Sequence, residues 1–278
     1  MKASTKVGPM KTISVLKALV LSLLLSACAE NNFSNNVVVN SDAAIVGGDK
    51  VSSSDPIAAR TVYIKDTNKK QSCSGIIISS RLILTAAHCV YKAKASDIEV
   101  RFGLTGRDAV KVAKQIEVHT HYVQLTLLKN MNDVALIQLA SAIPSNYRIT
   151  SILEDFSILK PGTTVTTAGY GYSNARWETG VGTLRKTNLR IATEAFSETT
   201  VAIDQLNTDS GSCHGDSGGP ALVQTNQGLK VFGVANRITG KDKKLTKLCK
   251  GTAVYTRIDI YMPWILEKAA QLDPSARF

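Results

Sequence analysis

The sequence predicts an all-β fold of the sandwich or barrel type. From Ile45 onward, short apolar segments rich in Val, Ile and Thr follow one another, with turn residues between them. Many short strands at frequent intervals are typical of antiparallel β-structure, whereas strands alternating with long helices would indicate a parallel sheet. The clearest predicted strands are Thr61–Ile64, Gly75–Ile78, Arg81–Leu84, Val134–Leu139, Thr163–Thr167 and Val231–Val234.

A helical pattern appears only near the end of the chain. Apolar residues recur there at spacings of three and four, which places them on one face of a helix. We therefore predict a C-terminal helix over residues 258–272, with an apolar face formed by Ile258, Tyr261, Ile265, Leu266 and Ala269.

The composition is that of an ordinary globular protein with a basic surface. Of the 278 residues, 44% are hydrophobic and 20% are charged, which excludes a collagen-like or disordered chain. The net charge of +11 raises the question of nucleic acid or an anionic surface. The basic residues are scattered, and their single cluster has no aromatic residues between its lysines, so we predict no nucleic-acid binding. We expect a solvated loop there, with a weak anion-binding patch as the alternative, at Lys241, Lys243, Lys244, Lys247 and Lys250.

Residues 1–28 have the pattern of a targeting segment. Lysines precede an apolar run, Ala18–Ala27, that is too short for a membrane-spanning helix. The run ends in Leu25-Ser26-Ala27-Cys28, which resembles a bacterial lipoprotein box, so Cys28 is a candidate for lipidation and membrane tethering. The alternative is ordinary signal cleavage after Ala29. Both interpretations predict export, as a membrane-anchored precursor or a secreted protein.

The cysteine count agrees with export. The Asn- and Ser-rich residues 29–44 are predicted to be a tether or propeptide. If Cys28 carries lipid, the remaining cysteines are even in number and can form disulfides in an oxidising compartment. Their spacing leaves three pairings open among Cys73, Cys89, Cys213 and Cys249.

The segment Gly215-Asp216-Ser217-Gly218-Gly219-Pro220 contains a candidate nucleophile. Glycines around a serine permit a tight backbone that exposes the hydroxyl and directs amide groups to one point. The short pattern also fits a glycine-rich turn or the nucleophile elbow of an α/β-hydrolase, in which the base histidine follows the serine. The histidines are His88, His119, His121 and His214, and all of them precede Ser217, which disfavours an esterase or lipase of that type.

Two further motifs complete a catalytic pattern. His88 lies in Leu84-Thr85-Ala86-Ala87-His88-Cys89, and Asp133 lies in Asn132-Asp133-Val134-Ala135-Leu136. Together with Ile45-Val46-Gly47-Gly48 and the serine motif, in the order His, Asp, Ser, these segments resemble the chymotrypsin/trypsin family of serine proteases. The resemblance extends from Ile45 to the C-terminal helix.

The resemblance implies a fold and a chemistry. The fold is two packed antiparallel six-stranded β-barrels, roughly residues 45–155 and 156–257, followed by the helix. Ser217 would be the nucleophile, His88 its base and Asp133 the orienting acid, with the backbone N–H groups of Gly215 and Ser217 as the oxyanion hole. The expected substrates are proteins or peptides, the expected state is a monomer, and no cofactor or metal is required. We expect His119 and His121 to lie on a solvated strand face. The implied disulfides are Cys73–Cys89 and Cys213–Cys249.

The family also implies activation by cleavage. A cut between Ala44 and Ile45 would free an amino terminus that pairs with Asp216. Because Ala44 is neither Lys nor Arg, a trypsin-like activator is not expected, and autoactivation is possible.

The implied specificity pocket is small and uncharged. Its floor would be Gly211, followed by Ser212, with Ile238 and Ala253 as walls, which favours small or medium aliphatic residues over larger apolar ones. Where the family usually has Ser-Trp-Gly, this chain has Asn236-Arg237-Ile238. That departure keeps a catalytically inactive binding protein as the alternative class.

Overall fold

The computed structural model describes residues 45–124 and 130–276. The predicted signal segment, the tether, Cys28 and Ala44 lie outside the described residues. In the described part of the chain, no helix is both long and apolar enough to cross a membrane.

The first barrel is closed by six antiparallel strands in the order β2-β3-β4-β9-β6-β5. In the sequence, the short strand β1 precedes these six strands, and β7 and β8, which pair with each other, lie between β6 and β9. The nine strands are β1 (Asp49–Lys50), β2 (Thr61–Asp66), β3 (Ser72–Ile77), β4 (Leu82–Thr85), β5 (Ile98–Phe102), β6 (Ala109–Val118), β7 (Val123–Gln124), β8 (Asn130–Met131) and β9 (Ala135–Leu139).

The second barrel is also closed by six antiparallel strands, in the order β11-β10-β13-β14-β15-β12, with β12 pairing back to β11. Its strands are β10 (Thr164–Gly169), β11 (Arg185–Phe196), β12 (Thr200–Asp204), β13 (Pro220–Thr225), β14 (Gly228–Thr239) and β15 (Thr252–Arg257). The predicted fold of two six-stranded barrels is therefore confirmed.

Strand β5 shows how the sequence pattern builds a barrel. Ile98, Val100 and Phe102 are buried, while the alternate residues Glu99 and Arg101 are half-buried and form an ion pair at 2.5 Å. Successive side chains of a strand point to opposite faces, so one face fills the barrel and the other meets solvent. Burial of each large aliphatic side chain contributes about 1.5–3 kcal/mol.

The C-terminal helix α3 (Ile258–Leu272) packs against the outside of the first barrel. Strand β9 is buried on both faces because α3 covers its outer side, where Gln138 Nε2 donates a hydrogen bond to the Leu272 carbonyl. Ser79 also donates to the carboxylate of Asp273, at 3.1 Å. The helix thus joins the end of the chain to the barrel that carries two of the three predicted catalytic residues.

The beginning of the described chain pairs with the second barrel, although the predicted boundary assigned it to the first. Val46 forms an antiparallel bridge with Gly211, and β1 pairs with β11 through Asp49 opposite Lys186. Ile45 is fully buried.

Both implied disulfides are present. Cys73–Cys89 joins β3 to the short helix α1 (Ala87–Val90), and Cys213–Cys249 joins the serine loop to the segment before β15. Each bond constrains the chain beside a predicted catalytic residue.

Candidate active site

The predicted catalytic residues meet at the junction of the two barrels. His88 lies on α1, directly after the fully buried strand β4, and Asp133 lies two residues before β9, which is the neighbour of β4 in the barrel. The Asp133 side chain is completely buried, and its two oxygens accept from the His88 backbone N–H at 2.9 Å and lie 2.7 Å from His88 Nδ1. A carboxylate at Nδ1 holds that nitrogen protonated and leaves Nε2 free to accept a proton.

Ser217 lies in the loop before β13. Gly215 and Gly218 adopt φ values of +95° and +81°, which glycine tolerates and residues with a Cβ rarely adopt. A Cβ on Gly218 would lie 2.1 Å from Thr85 Oγ1 and 2.4 Å from the Ser74 carbonyl oxygen. The loop is tied to the first barrel by Ser74, whose N–H donates to the Ser217 carbonyl at 2.8 Å.

His88 and Ser217 face the same space. Both side chains line a cavity of about 270 Å³ and a second cavity of about 380 Å³. Among the described residues, the hydrogen bonds of His88 run to Asp133 alone. Catalytic hydrogen bonds often form only when substrate is bound, so the shared cavity is the relevant geometry.

The two predicted oxyanion donors are free to bind a ligand. Within the described residues, neither the Gly215 nor the Ser217 backbone N–H donates an intramolecular hydrogen bond. The Gly215 carbonyl is held instead by Ser74 Oγ at 3.0 Å, which fixes the peptide orientation on that side of the loop. Backbone N–H groups without an intramolecular acceptor are available to stabilise negative charge that develops on a substrate oxygen.

Asp216 is buried without an ionic partner among the described residues. Its carboxylate accepts from the backbone N–H groups of Gly171 and Cys213, each at 2.8 Å. Burial raises the pKa of Asp216 to about 7, and the two backbone hydrogen bonds oppose that rise.

The 270 Å³ cavity has small and apolar walls. Ile238 and Ala253 line it from β14 and β15, where they are directly opposite each other. At its inner end, the hydroxyls of Ser212 and Tyr255 are hydrogen-bonded to each other at 2.5 Å. Burial raises the pKa of Tyr255 well above its usual range. Ile238 and Ala253 therefore contribute no charged group to the cavity lining.

Gly211 lies outside the residues that line this cavity, and Gln205 occupies the space beside it. A Cβ on Gly211 would lie 2.6 Å from Gln205 Cδ and Oε1. The buried Gln205 amide donates to the carbonyls of Ser212 and Cys249 and accepts from the Ser212 N–H. Sequence reasoning missed Gln205, because a lone glutamine after β12 carries no motif.

The departure from the family pattern occurs at a bulge in β14. The strand register shifts between Ala235 and Arg237, with Asn236 in between. Asn236 Nδ2 donates to Thr256 Oγ1 at 3.0 Å, and Thr256 Oγ1 donates to the Asp133 carbonyl at 3.1 Å. Asn236 is thus linked to the backbone of Asp133 through Thr256, a residue that the sequence motifs did not indicate.

His119 and His121 follow β6 and do not lie on a strand face as predicted, and His119 contacts aromatic side chains as well as His121. Its ring centroid lies 5.2 Å from that of Tyr261 and 5.1 Å from that of Trp264, with His121 at 5.8 Å. Burial, followed by the nearby His121, lowers the pKa of His119. The described residues bring three potential ligands together only at Cys73, His88 and Cys89, and the two cysteines there are bonded to each other.

The fold and the site together define a two-barrel serine hydrolase in which a His–Asp pair and a serine line the same cavity. The family model described as Trypsin matches residues 45–265. The chain belongs to the trypsin family of serine endopeptidases.

Three relatives of this chain come from animals. The chain is 28% identical to Serine protease SSP1 of Scolopendra subspinipes, over 85% of this chain and 87% of that protein. It is 30% identical to Trypsin II-P29 of Gallus gallus, over 71% and 79%. It is 27% identical to Chymotrypsin-C of Mus musculus, over 92% and 98%.

Proposed function

We propose that this chain hydrolyses peptide bonds through an acyl-enzyme formed on Ser217. The observation that carries the proposal is the pairing of His88 with the buried Asp133 on one side of a cavity that Ser217 also lines. A serine hydroxyl is a weak nucleophile unless an adjacent base accepts its proton.

His88 Nε2 removes the Ser217 proton as Oγ attacks the substrate carbonyl, and it then gives that proton to the leaving amine. Asp133 keeps Nδ1 protonated and stabilises the imidazolium that forms. The amides of Gly215 and Ser217 hold the oxyanion, and a donor of this kind contributes about 3–4 kcal/mol to the transition state. Water then hydrolyses the acyl-enzyme by the same steps in reverse.

The residue before the scissile bond is small or medium-sized and aliphatic. Ile238 and Ala253 narrow the cavity, and its inner hydroxyls are already paired with each other, which disfavours a charged side chain. Gly211 and Gln205 supply no carboxylate that would select Lys or Arg. A preference for larger apolar residues is the alternative.

The protein is made as a precursor that is activated by a cut between Ala44 and Ile45. The new ammonium group of Ile45 pairs with Asp216, and neither charge could be left buried alone. Support comes from the complete burial of Ile45, from the bridge between Val46 and Gly211, and from the burial of Asp216 without an ionic partner among the described residues.

The precursor is exported and tethered through Cys28, and the activating cut releases the enzyme. The lipoprotein-like segment before Cys28 and the even number of remaining cysteines support this part of the proposal. Intact mass in membrane and soluble fractions tests it, because an active enzyme that still carried lipid would contradict release.

The assignment of Ser217 is tested with a fluorophosphonate probe and peptide mapping. We expect one adduct, on Ser217, in protein that begins at Ile45. Asp133→Asn should label about four orders of magnitude more slowly, because the imidazole tautomer is no longer fixed. Asp49→Asn, an exposed carboxylate outside the cavity, is the matched control and should label normally. Labelling of another serine, or rapid labelling of the Asp133 variant, would contradict these assignments.

A further inference from the structure

Arg237 lies in the cavity that contains the catalytic residues. It lines the 270 Å³ space together with His88, Ser217 and the two pocket walls. Its side chain is half-buried, and Nη1 donates to the Asn236 side-chain oxygen at 3.2 Å. A cation therefore stands beside the space that the substrate is proposed to occupy.

Within the described residues, Arg237 forms no ion pair with a carboxylate. Two acids are near this cavity, and both have their oxygens engaged. Asp133 is bonded by the backbone and ring of His88, and Asp216 is bonded by two backbone N–H groups. Burial lowers the pKa of Arg237 and the charge of Asp133 opposes this, but a guanidinium remains protonated at neutral pH.

The surroundings favour an anionic ligand over water. Ile238, Ala253 and Val254 line the same cavity with apolar groups, so the guanidinium is partly desolvated. A partly buried cation is stabilised most by a carboxylate that can accept two of its N–H groups.

The neighbouring helix adds positive potential at the cavity mouth. Helix α2 (Lys243–Lys247) contributes Thr246 to the cavity lining, while its lysines are exposed to solvent. Asp242 caps this helix, its Oδ1 accepting from the backbone N–H groups of Lys244 and Leu245. Clustered positive charge at a cleft attracts acidic ligands and raises their association rate.

We propose that Arg237 is a specificity-determining residue that binds the carboxylate of an acidic residue in the substrate segment preceding the scissile bond. The inference rests on the proposed peptidase function and adds a second substrate preference to it. The preferred substrate therefore combines a small aliphatic residue at the bond with Asp or Glu close by on its amino-terminal side.

The test compares peptides that differ only in Glu or Gln. Each peptide has Ala or Val before the scissile bond, and one Glu or Gln is placed in turn at each of the second, third and fourth positions before it. With protein that begins at Ile45, we expect kcat/KM for Glu to exceed that for Gln about tenfold at one position. Arg237→Gln should bring the Glu-to-Gln ratio to about one. With a third peptide that carries Lys at that position, Arg237→Glu should favour Lys over Gln.

The ratio is taken within each variant, so a general loss of activity cancels. Arg107→Gln removes the same charge from an exposed position in the first barrel and should keep the wild-type ratio. If Arg237→Gln does not fold, Arg237→Lys replaces it and should keep a reduced preference for Glu.

Three results would overturn the inference. Equal cleavage of the Glu and Gln peptides by the wild type, at all three positions, removes it and leaves the proposed function intact. An unchanged ratio in Arg237→Gln assigns the preference to another residue. If the wild type cleaves none of the peptides, the proposed function and this inference fall together.

Discussion

The His88–Asp133 pair and Ser217 are contributed by different barrels, so their geometry depends on a few contacts at the junction. Ser74 makes several of these contacts. Its N–H donates to the Ser217 carbonyl, its hydroxyl donates to the Gly215 carbonyl and accepts from the Tyr170 N–H, and its carbonyl accepts from Thr85 Oγ1. Buried polar groups that are fully paired fix one arrangement of the chain.

Gly218 is a direct test of how tightly the serine loop is packed. An Ala side chain there would collide with Thr85 and Ser74, and its φ of +81° is unfavourable for alanine. We expect Gly218→Ala to reduce the free energy of unfolding by about 3 kcal/mol and to reduce peptide hydrolysis at least 100-fold.

Gly228→Ala is the matched control, because Gly228 has a φ of +101° but no atom within 4 Å of the added Cβ. It should cost about 1 kcal/mol and leave hydrolysis unchanged. Chemical denaturation and peptide hydrolysis measure both effects. Equal losses in the two variants would show that backbone strain, and not the collision, controls this position.

At the scale of elements, the sequence predicted most of the framework. All six predicted strands correspond to observed strands, since each was a short apolar run between turn residues. The C-terminal helix spans Ile258–Leu272, as its apolar periodicity indicated. Leu266, predicted to lie on the apolar face, is instead 45% exposed, and Leu272 is buried. The catalytic residues could also be predicted from the sequence, because each lies in a continuous segment that resembles a motif of the family.

The pocket could not be predicted to the same extent. Folding brings Gln205, which follows β12, and Thr256, which lies on β15, to the site, and no local pattern connects them with Ser217. The family resemblance implies the role of Gly211 from its position six residues before Ser217, and that position does not reveal that Gln205 fills the adjoining space.

Gln205 determines whether the pocket can be converted to one that accepts basic residues. Gly211→Asp alone would force its side chain against Gln205, at 2.6 Å. We therefore expect a destabilised protein with no gain in cleavage after Lys or Arg. Adding Gln205→Ala should make room for the carboxylate and raise kcat/KM for these residues at least tenfold over the single variant.

Gln205→Ala alone is the control, and loss of its hydrogen bonds should cost about 1–3 kcal/mol. Assays with peptides that differ in the residue before the bond, together with thermal unfolding, provide the readout. A stable Gly211→Asp protein that cleaves after Lys would show that Gln205 does not block this site.

At the scale of the whole molecule, the burial of Asp216 makes the stability of the uncut chain depend on pH. Its pKa is about 7 in the uncut chain, against an ordinary value of 3.8. Between these values the folded protein holds a proton that the unfolded chain has lost, so the free energy of unfolding falls as pH rises. The stability that the protonated Asp216 provides is fully present below about pH 4 and is lost above about pH 7.

We expect the uncut Ser217→Ala protein to lose about 2–3 kcal/mol of unfolding free energy between pH 5.0 and pH 7.5 through this group. Asp216→Asn in the same background should remove that slope, whereas Asp49→Asn should retain it. Urea denaturation with intact disulfides measures the difference. If the slope persists in Asp216→Asn, another group is responsible.

Peptide hydrolysis by protein that begins at Ile45 tests the central claim most directly. It is compared with the uncut chain and with Ser217→Ala that also begins at Ile45, on peptides with Ala or Val before the scissile bond. We predict cleavage by the Ile45 form, with both comparison proteins at least about 1,000-fold slower. Equal rates for the Ile45 form and its Ser217→Ala variant would contradict the account.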